Sequence, residues 1–200
     1  VLTNIDGLSG LNAVWGNVQL AQNTSLTNLD GFSGLTSIGQ SLSINSSTYL
    51  TNISGLNSLT SVGGGLQLYS NDALPNLSGL NNLTSINGKL YIYENAILTN
   101  IDAIKNINPG GINNTAFPSE SPFTIQNNPR LSECDILSVC SYLSIPGSVA
   151  TISGNGTNCI NRSTVETACA THCLEGGITF TSQAHIDAFP AMYPGCIKIW

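Results

Sequence analysis

Apolar residues recur along this chain at spacings of three and then two, and the whole pattern returns every 24 residues. The first period reads Leu2, Ile5, Leu8, Leu11 and Val14, then Val18 and Leu20. The second reads Leu26, Leu29, Phe32, Leu35 and Ile38, then Leu42 and Ile44. Two more follow from Leu50 to Leu68 and from Leu74 to Ile92. Pairs such as Val18 and Leu20, with one residue between, predict short strands with alternate side chains inward. The triplet spacing predicts turn-rich backbone that keeps returning a side chain to the core. A fixed period of this length predicts a solenoid, because one such repeat cannot bury its apolar face alone. Proteins of this kind bind or build more often than they catalyse.

Polar residues recur in the same frame. Three residues after the last strand apolar stand Asn23, Ser47, Asn71, Asn95, Asn128 and Asn155. Asn there is expected to form a buried ladder, pairing backbone groups that the turning chain leaves open, at the ~4.8 Å spacing of stacked strands. A second column, Asn4, Asn28, Asn52, Asn76 and Asn100, is either a similar ladder or an exposed rank. Gly7, Gly31, Gly55 and Gly79 suit a bend that needs positive φ or a close backbone approach. Asp6, Asp30 and Asp102, with Ser54 and Ser78 between them, are expected to cap turns rather than to form a carboxylate dyad or a calcium site. Thr3, Thr27, Thr51 and Thr99 make a column that Pro75 interrupts, too irregular for an ice-matching lattice.

The LxLxxN-like strand with its Asn ladder resembles a leucine-rich repeat. The phrases LTNIDGL, LTNLDGF and LTNISGL at Leu2, Leu26 and Leu50, followed by motifs such as LTSIGQ and LTSVGG, resemble more specifically the receptor L-domain family. That family includes the ligand-binding lobes of insulin and epidermal growth factor receptors and many microbial surface proteins. The resemblance covers nearly the whole chain. It implies a right-handed parallel β-solenoid of 24-residue coils whose ends are closed by short disulfide-tied cap helices. The chain departs from it between Lys105 and Pro122, where one coil gains nine residues, as a tolerated surface loop or as a binding loop. Residues 1–173 are expected to form one such unit with its C-terminal cap. Residues 174–200 look like the cap helix and first strand of a following unit, so Val1 and Cys196, Ile197, Ile199 and Trp200 are candidates for an inter-unit joint.

All six cysteines, Cys134, Cys140, Cys159, Cys169, Cys173 and Cys196, lie in the last third of the chain. An even count clustered where the repeat breaks down predicts disulfides and an oxidising compartment. No paired CxxC accompanies them, and His172 and His185 form no zinc pattern. A short helix is expected to start near Ser132 and Asp135, with Cys134 near enough to Cys140 to pair. A Ser163/Glu166 capping box is expected to open a second helix, with Cys159 bonded to Cys169 and Cys173 to Cys196. Six cysteines allow about 15 connectivities, so these pairings are expectations only.

Charged residues make up 8% of the chain and the net charge is −6, with five basic residues, Lys89, Lys105, Arg130, Arg162 and Lys198. Nucleic-acid binding needs a clustered basic footprint and is not expected. No run of about 18 apolar residues predicts membrane insertion. Sequons at Asn23, Asn45, Asn52, Asn76, Asn82, Asn113, Asn155 and Asn161 are candidates for glycosylation. The two histidines have no nucleophile context, so no catalytic residue, metal or cofactor is assigned. Tyr69, Tyr91 and Tyr93 alternate with inward Leu66, Leu68, Leu90 and Ile92. They are expected to face outward on adjacent coils, as a binding platform or as cross-strand pairs. The functional expectation is a non-enzymatic extracellular structural or adhesive module, one unit of a tandem array or head-to-tail filament. Its partners would be further copies or L-domain units, or surface glycans and proteins. The alternative is a receptor-type ectodomain that binds a glycan or peptide on its lateral sheet.

Overall fold

A computed structural model describes residues 2–113, 120–170 and 182, 183, 186 and 187. Each of the first four repeats supplies two short strands. These are β1 (Ala13–Val14) and β2 (Val18–Ala21), β3 (Ser37–Ile38) and β4 (Leu42–Asn45), β5 (Ser61–Val62) and β6 (Leu66–Tyr69), and β7 (Ser85–Ile86) and β8 (Leu90–Tyr93). Then come β9 (Phe123–Gln126), helix α1 (Leu137–Leu143), β10 (Ala150–Ser153) and helix α2 (Arg162–Cys169). The strands form two sheets in which every pairing is parallel. One has four strands in the order β1-β3-β5-β7, and the other six in the order β2-β4-β6-β8-β9-β10.

The register follows the sequence period. Val18 lies beside Leu42, Leu42 beside Leu66 and Leu66 beside Leu90, so like residues stack on like across the six-stranded sheet. The insertion is absorbed without loss of register, since Leu90 pairs with Phe123. The second inward position of each strand forms another apolar column, Leu20, Ile44, Leu68, Ile92, Ile125 and Ile152, all buried. Burying one such side chain stabilises by about 1.5–3 kcal/mol. A one-residue slip would turn every column outward, so the pattern itself holds the register.

After each strand the chain must turn back into the core. Gln22, Ser46, Ser70, Glu94 and Asn127 do this with φ between 52° and 57°, a left-handed conformation that L residues adopt at some cost. The following residue then points inward, and there the Asn ladder forms. The Oδ1 atoms of Asn71, Asn95, Asn128 and Asn155 accept the backbone N–H of Ser47, Asn71, Asn95 and Asn128 at 3.0–3.2 Å. Their Nδ2 atoms donate to the carbonyls of Ile44, Leu68, Ile92 and Ile125 at 2.7–3.2 Å. Asn23, at the first repeat, accepts from Leu2 N–H at 3.3 Å.

The second Asn column is an exposed to half-buried rank with a different task. Oδ1 of Asn4, Asn28, Asn52, Asn76 and Asn100 accepts the N–H two residues on, at 2.7–3.3 Å. This corrects the expectation for Asp6, Asp30 and Asp102. Their backbone amides are what the Asn side chains cap, because a side chain two residues upstream reaches the first free N–H of the short turn. Gly31 and Gly55 are required by close approach, since a Cβ would sit 1.8 Å from the carbonyl oxygens of Ile5 and Leu29. Gly79 combines a φ of +126° with a similar approach, and at Gly7 a Cβ would meet nothing within 4 Å.

The two ends of the stack differ. At the far end α2 packs against α1 and β10, and Asn161 forms an isolated bridge with Ser153. Disulfides join Cys134 to Cys159 and Cys140 to Cys169. The expected links Cys134–Cys140 and Cys159–Cys169 are therefore wrong. Cys134 occupies the inward column of Ile53, Leu77 and Ile101 and is fully buried, and the neighbour of an inward residue lies about one repeat away, not six residues along the chain. The helix starts are corrected too. Ile136 precedes α1 with no side-chain cap, and Asn161, not Ser163, caps α2 by accepting from Thr164 N–H at 2.9 Å. Two disulfides mark an oxidising environment. Cys173, Cys196, His172, His185, Val1, Ile197, Ile199 and Trp200 lie outside the described residues.

At the near end β2 pairs, among the described residues, with β4 alone. Leu2, Leu8 and Trp15 are 44%, 41% and 90% exposed, whereas Leu26 and Phe32, one repeat further in, are buried.

Candidate functional site

Outward positions of the six-stranded sheet carry no aromatic residue except at β6 and β8. There the register sets Gln67, Tyr91 and Thr124 in one row and Tyr69, Tyr93 and Gln126 in the next. Tyr91 is the hub. The Tyr69 ring meets it edge-on at a centroid distance of 6.1 Å and 85°, and the Tyr93 ring lies 5.6 Å away, tilted by 35°. The three rings floor one side of an open concavity of about 640 Å³ that runs on to Thr124 and Thr151.

The rim is charged but paired. Lys89, just before β8, forms an ion pair with Glu120, which arrives from the insertion. Glu94, just after β8, accepts from Ser70 Oγ at 3.4 Å. Burial raises the Tyr91 phenol pKa above its ordinary value, with the charges of Tyr93, Glu94 and Glu120 adding to it. The hydrogen bond with Glu94 raises that of Tyr93. Both hydroxyls therefore keep their protons at neutral pH and can donate.

The tyrosines stand where alternation predicts, but the polar rim was not anticipated. Lys89 and Glu94 flank the strand and are legible as its ends. Glu120 has no repeat partner, and no periodic signal points to it.

The other candidates sort by local bonding. Asn45 is buried, and Asn155 donates its amide hydrogens to Ile125 and Cys159 carbonyls. Asn23 and Asn76 are half-buried, and Asn113 donates to Asn87 and Gly111. Asn52, Asn82 and Asn161 are exposed. Thr51 and Thr99 hydroxyls donate to the carbonyls of Thr27 and Pro75, so that column braces the stack. A smaller groove of about 300 Å³ crosses the four-stranded sheet, with Trp15 at one end.

Among the described residues, no group of three or more His, Cys, Asp or Glu is arranged to hold a metal ion. No helix among them is long and apolar enough to cross a membrane. Comparison of the chain with protein-family models, with curated proteins and with solved structures gives no match.

Proposed function

We propose that this chain is a non-enzymatic extracellular structural or adhesive module, a right-handed parallel β-solenoid of the receptor L-domain kind that stacks end to end with further units. Right-handedness follows from the near-universal hand of crossovers between parallel strands. The observation that carries the reading is the stacking register: like residues sit beside like across six parallel strands, a ladder that can pass from one unit to the next as it passes from one repeat to the next, and helices and two disulfides tie down the β10 end. The proposed partner of the first repeat is the 174–200 segment of a neighbouring unit, joined in tandem or by assembly. A head-to-tail contact whose rotation does not close gives an open fibre.

Electron microscopy of native material tests it. Continuous fibres or beaded arrays with a repeat near one domain length support the proposal, and discrete single-domain particles overturn it. A second reading, a receptor-type ectodomain, is favoured by the tyrosine concavity, which the stacking role does not use.

A further inference from the structure

We propose that the concavity over β6, β8 and β9 is a carbohydrate-binding site that takes a neutral pyranose ring stacked on the Tyr69–Tyr91–Tyr93 cluster. The proposal is independent of end-to-end stacking, and it rests on the receptor reading only in placing a ligand on this face.

Ring geometry is the first argument. Tyr69 and Tyr93 are directly paired across β6 and β8, and Tyr91 is diagonal to Tyr69. The ring contacts instead run through Tyr91, which is held edge-on by one neighbour and tilted by the other. Two rings near a right angle make a corner. The C–H face of a sugar can lie flat on one ring while its edge meets the other.

The surroundings of the rings disfavour other ligands. β6, β8 and β9 are interior strands, each paired on both sides, so a peptide finds no open backbone to extend. Recognition must come from side chains. Those beside the rings are the amides of Gln67 and Gln126 and the hydroxyls of Thr124 and Thr151, with carboxylates at Glu94 and Glu120. Planar amides and carboxylates suit adjacent sugar hydroxyls, and a wholly apolar ligand would leave these groups without partners. Glu94, Glu120 and a net charge of −6 disfavour phosphate, sulfate and uronic acids.

The end of the insertion sets Glu120 and Ser121 against the concavity, and the Lys89–Glu120 ion pair ties that wall to the start of β8. Glu120 and Ser121 thus wall the patch of the six-stranded sheet that carries aromatic rings.

The test is binding of the full chain to an array of neutral glycans (β-glucans, mannans, galactans and chitooligosaccharides), alongside uronic-acid and sulfated glycans and a random peptide library. The expected result is binding to a neutral glycan that weakens about tenfold or more in Tyr91→Ala, a loss of ring stacking. Tyr49→Ala, at an exposed tyrosine that does not line the concavity, should bind like the parent chain. If Tyr91→Ala folds poorly, Gln126→Ala leaves the rings in place and should still weaken the same glycan. No binding to any neutral glycan, or binding indifferent to both substitutions, overturns the proposal. Binding only to peptides or acidic glycans, lost in Tyr91→Ala, also overturns it while keeping a receptor role for this face.

Discussion

The backbone N–H of Asn71 donates to the side-chain oxygen of Asn95, 3.2 Å away and one repeat further along the chain. The same Asn95 donates to Leu68 carbonyl at 3.1 Å, and its own N–H donates to Asn128 Oδ1 at 3.0 Å. Each ladder residue thus satisfies two buried backbone groups of the preceding repeat. Asn95→Ala leaves a buried donor and a buried acceptor unpaired, at about 1–3 kcal/mol for each group. Urea unfolding should show a loss of about 2–4 kcal/mol for Asn95→Ala, and less than about 1 kcal/mol for the half-exposed Asn23→Ala. Equal losses at the two positions would show that burial is not the cause.

Gly55 and Gly7 hold equivalent places in their repeats but not in space. A methyl group on Gly55 would lie 1.8 Å from the Leu29 carbonyl oxygen, and on Gly7 it would meet nothing within 4 Å. Gly55→Ala must push two repeats apart and should cost about 1–3 kcal/mol or more. Gly7→Ala should be neutral to slightly stabilising, because it reduces the freedom of the unfolded chain. Thermal melting of the two variants decides it, and similar melting temperatures would refute the steric account.

The disulfides close loops of 25 and 29 residues between neighbouring segments of the stack. Chain-entropy arguments give each about 3.5 kcal/mol. A non-reducing peptide map should recover Cys134–Cys159 and Cys140–Cys169, without a Cys134–Cys140 fragment. Replacing Cys140 and Cys169 together by Ser should lower the unfolding midpoint and expose β10 amides to hydrogen exchange before those of β4.

Tyr142 stacks on Phe123 at 4.6 Å and donates its hydroxyl to Val149 carbonyl at 2.8 Å. Burial raises its phenol pKa above the ordinary value, against a smaller opposing effect from the charge of Arg162. Because the folded-state pKa lies above the unfolded one, the stabilisation is complete below about pH 10 and is lost as pH rises through the folded value. Absorbance titration at the tyrosinate band should show a late component, shared with Tyr91 and Tyr93, that loses one tyrosine's amplitude in Tyr142→Phe. A Tyr142→Phe variant with the same alkaline loss of stability as the parent chain would sink this assignment.

The inward columns from Leu26 to Leu131, the ladder positions and the outward tyrosines are legible in the sequence. In a stack of short parallel strands, spatial neighbours are chain neighbours one period away, so periodicity reads directly as contact. Within one repeat the same rule misleads. Asp30 looks like the capping residue, yet Asn28 two places upstream does the capping, because only the backbone geometry shows which N–H is left over. The left-handed turn at Gln22, Ser46, Ser70 and Glu94 leaves no glycine signature, and the residue that follows is Asn in three of the four repeats and Ser47 in the other.

Wherever the period breaks, the tertiary structure decides. Cys134 finds Cys159 and not Cys140 because an inward thiol faces the next segment of the stack, and a pairing distance is a matter of space rather than of residue count. Glu120 reaches Lys89 across 31 residues because the insertion returns the chain to the sheet face on the side of the tyrosines. Repetition, set by residue spacing alone, determined the columns, the parallel pairing and the ladder. The wall of the tyrosine concavity and the disulfide partners came only from how the non-repeating segments pack, since no period relates them to what they touch.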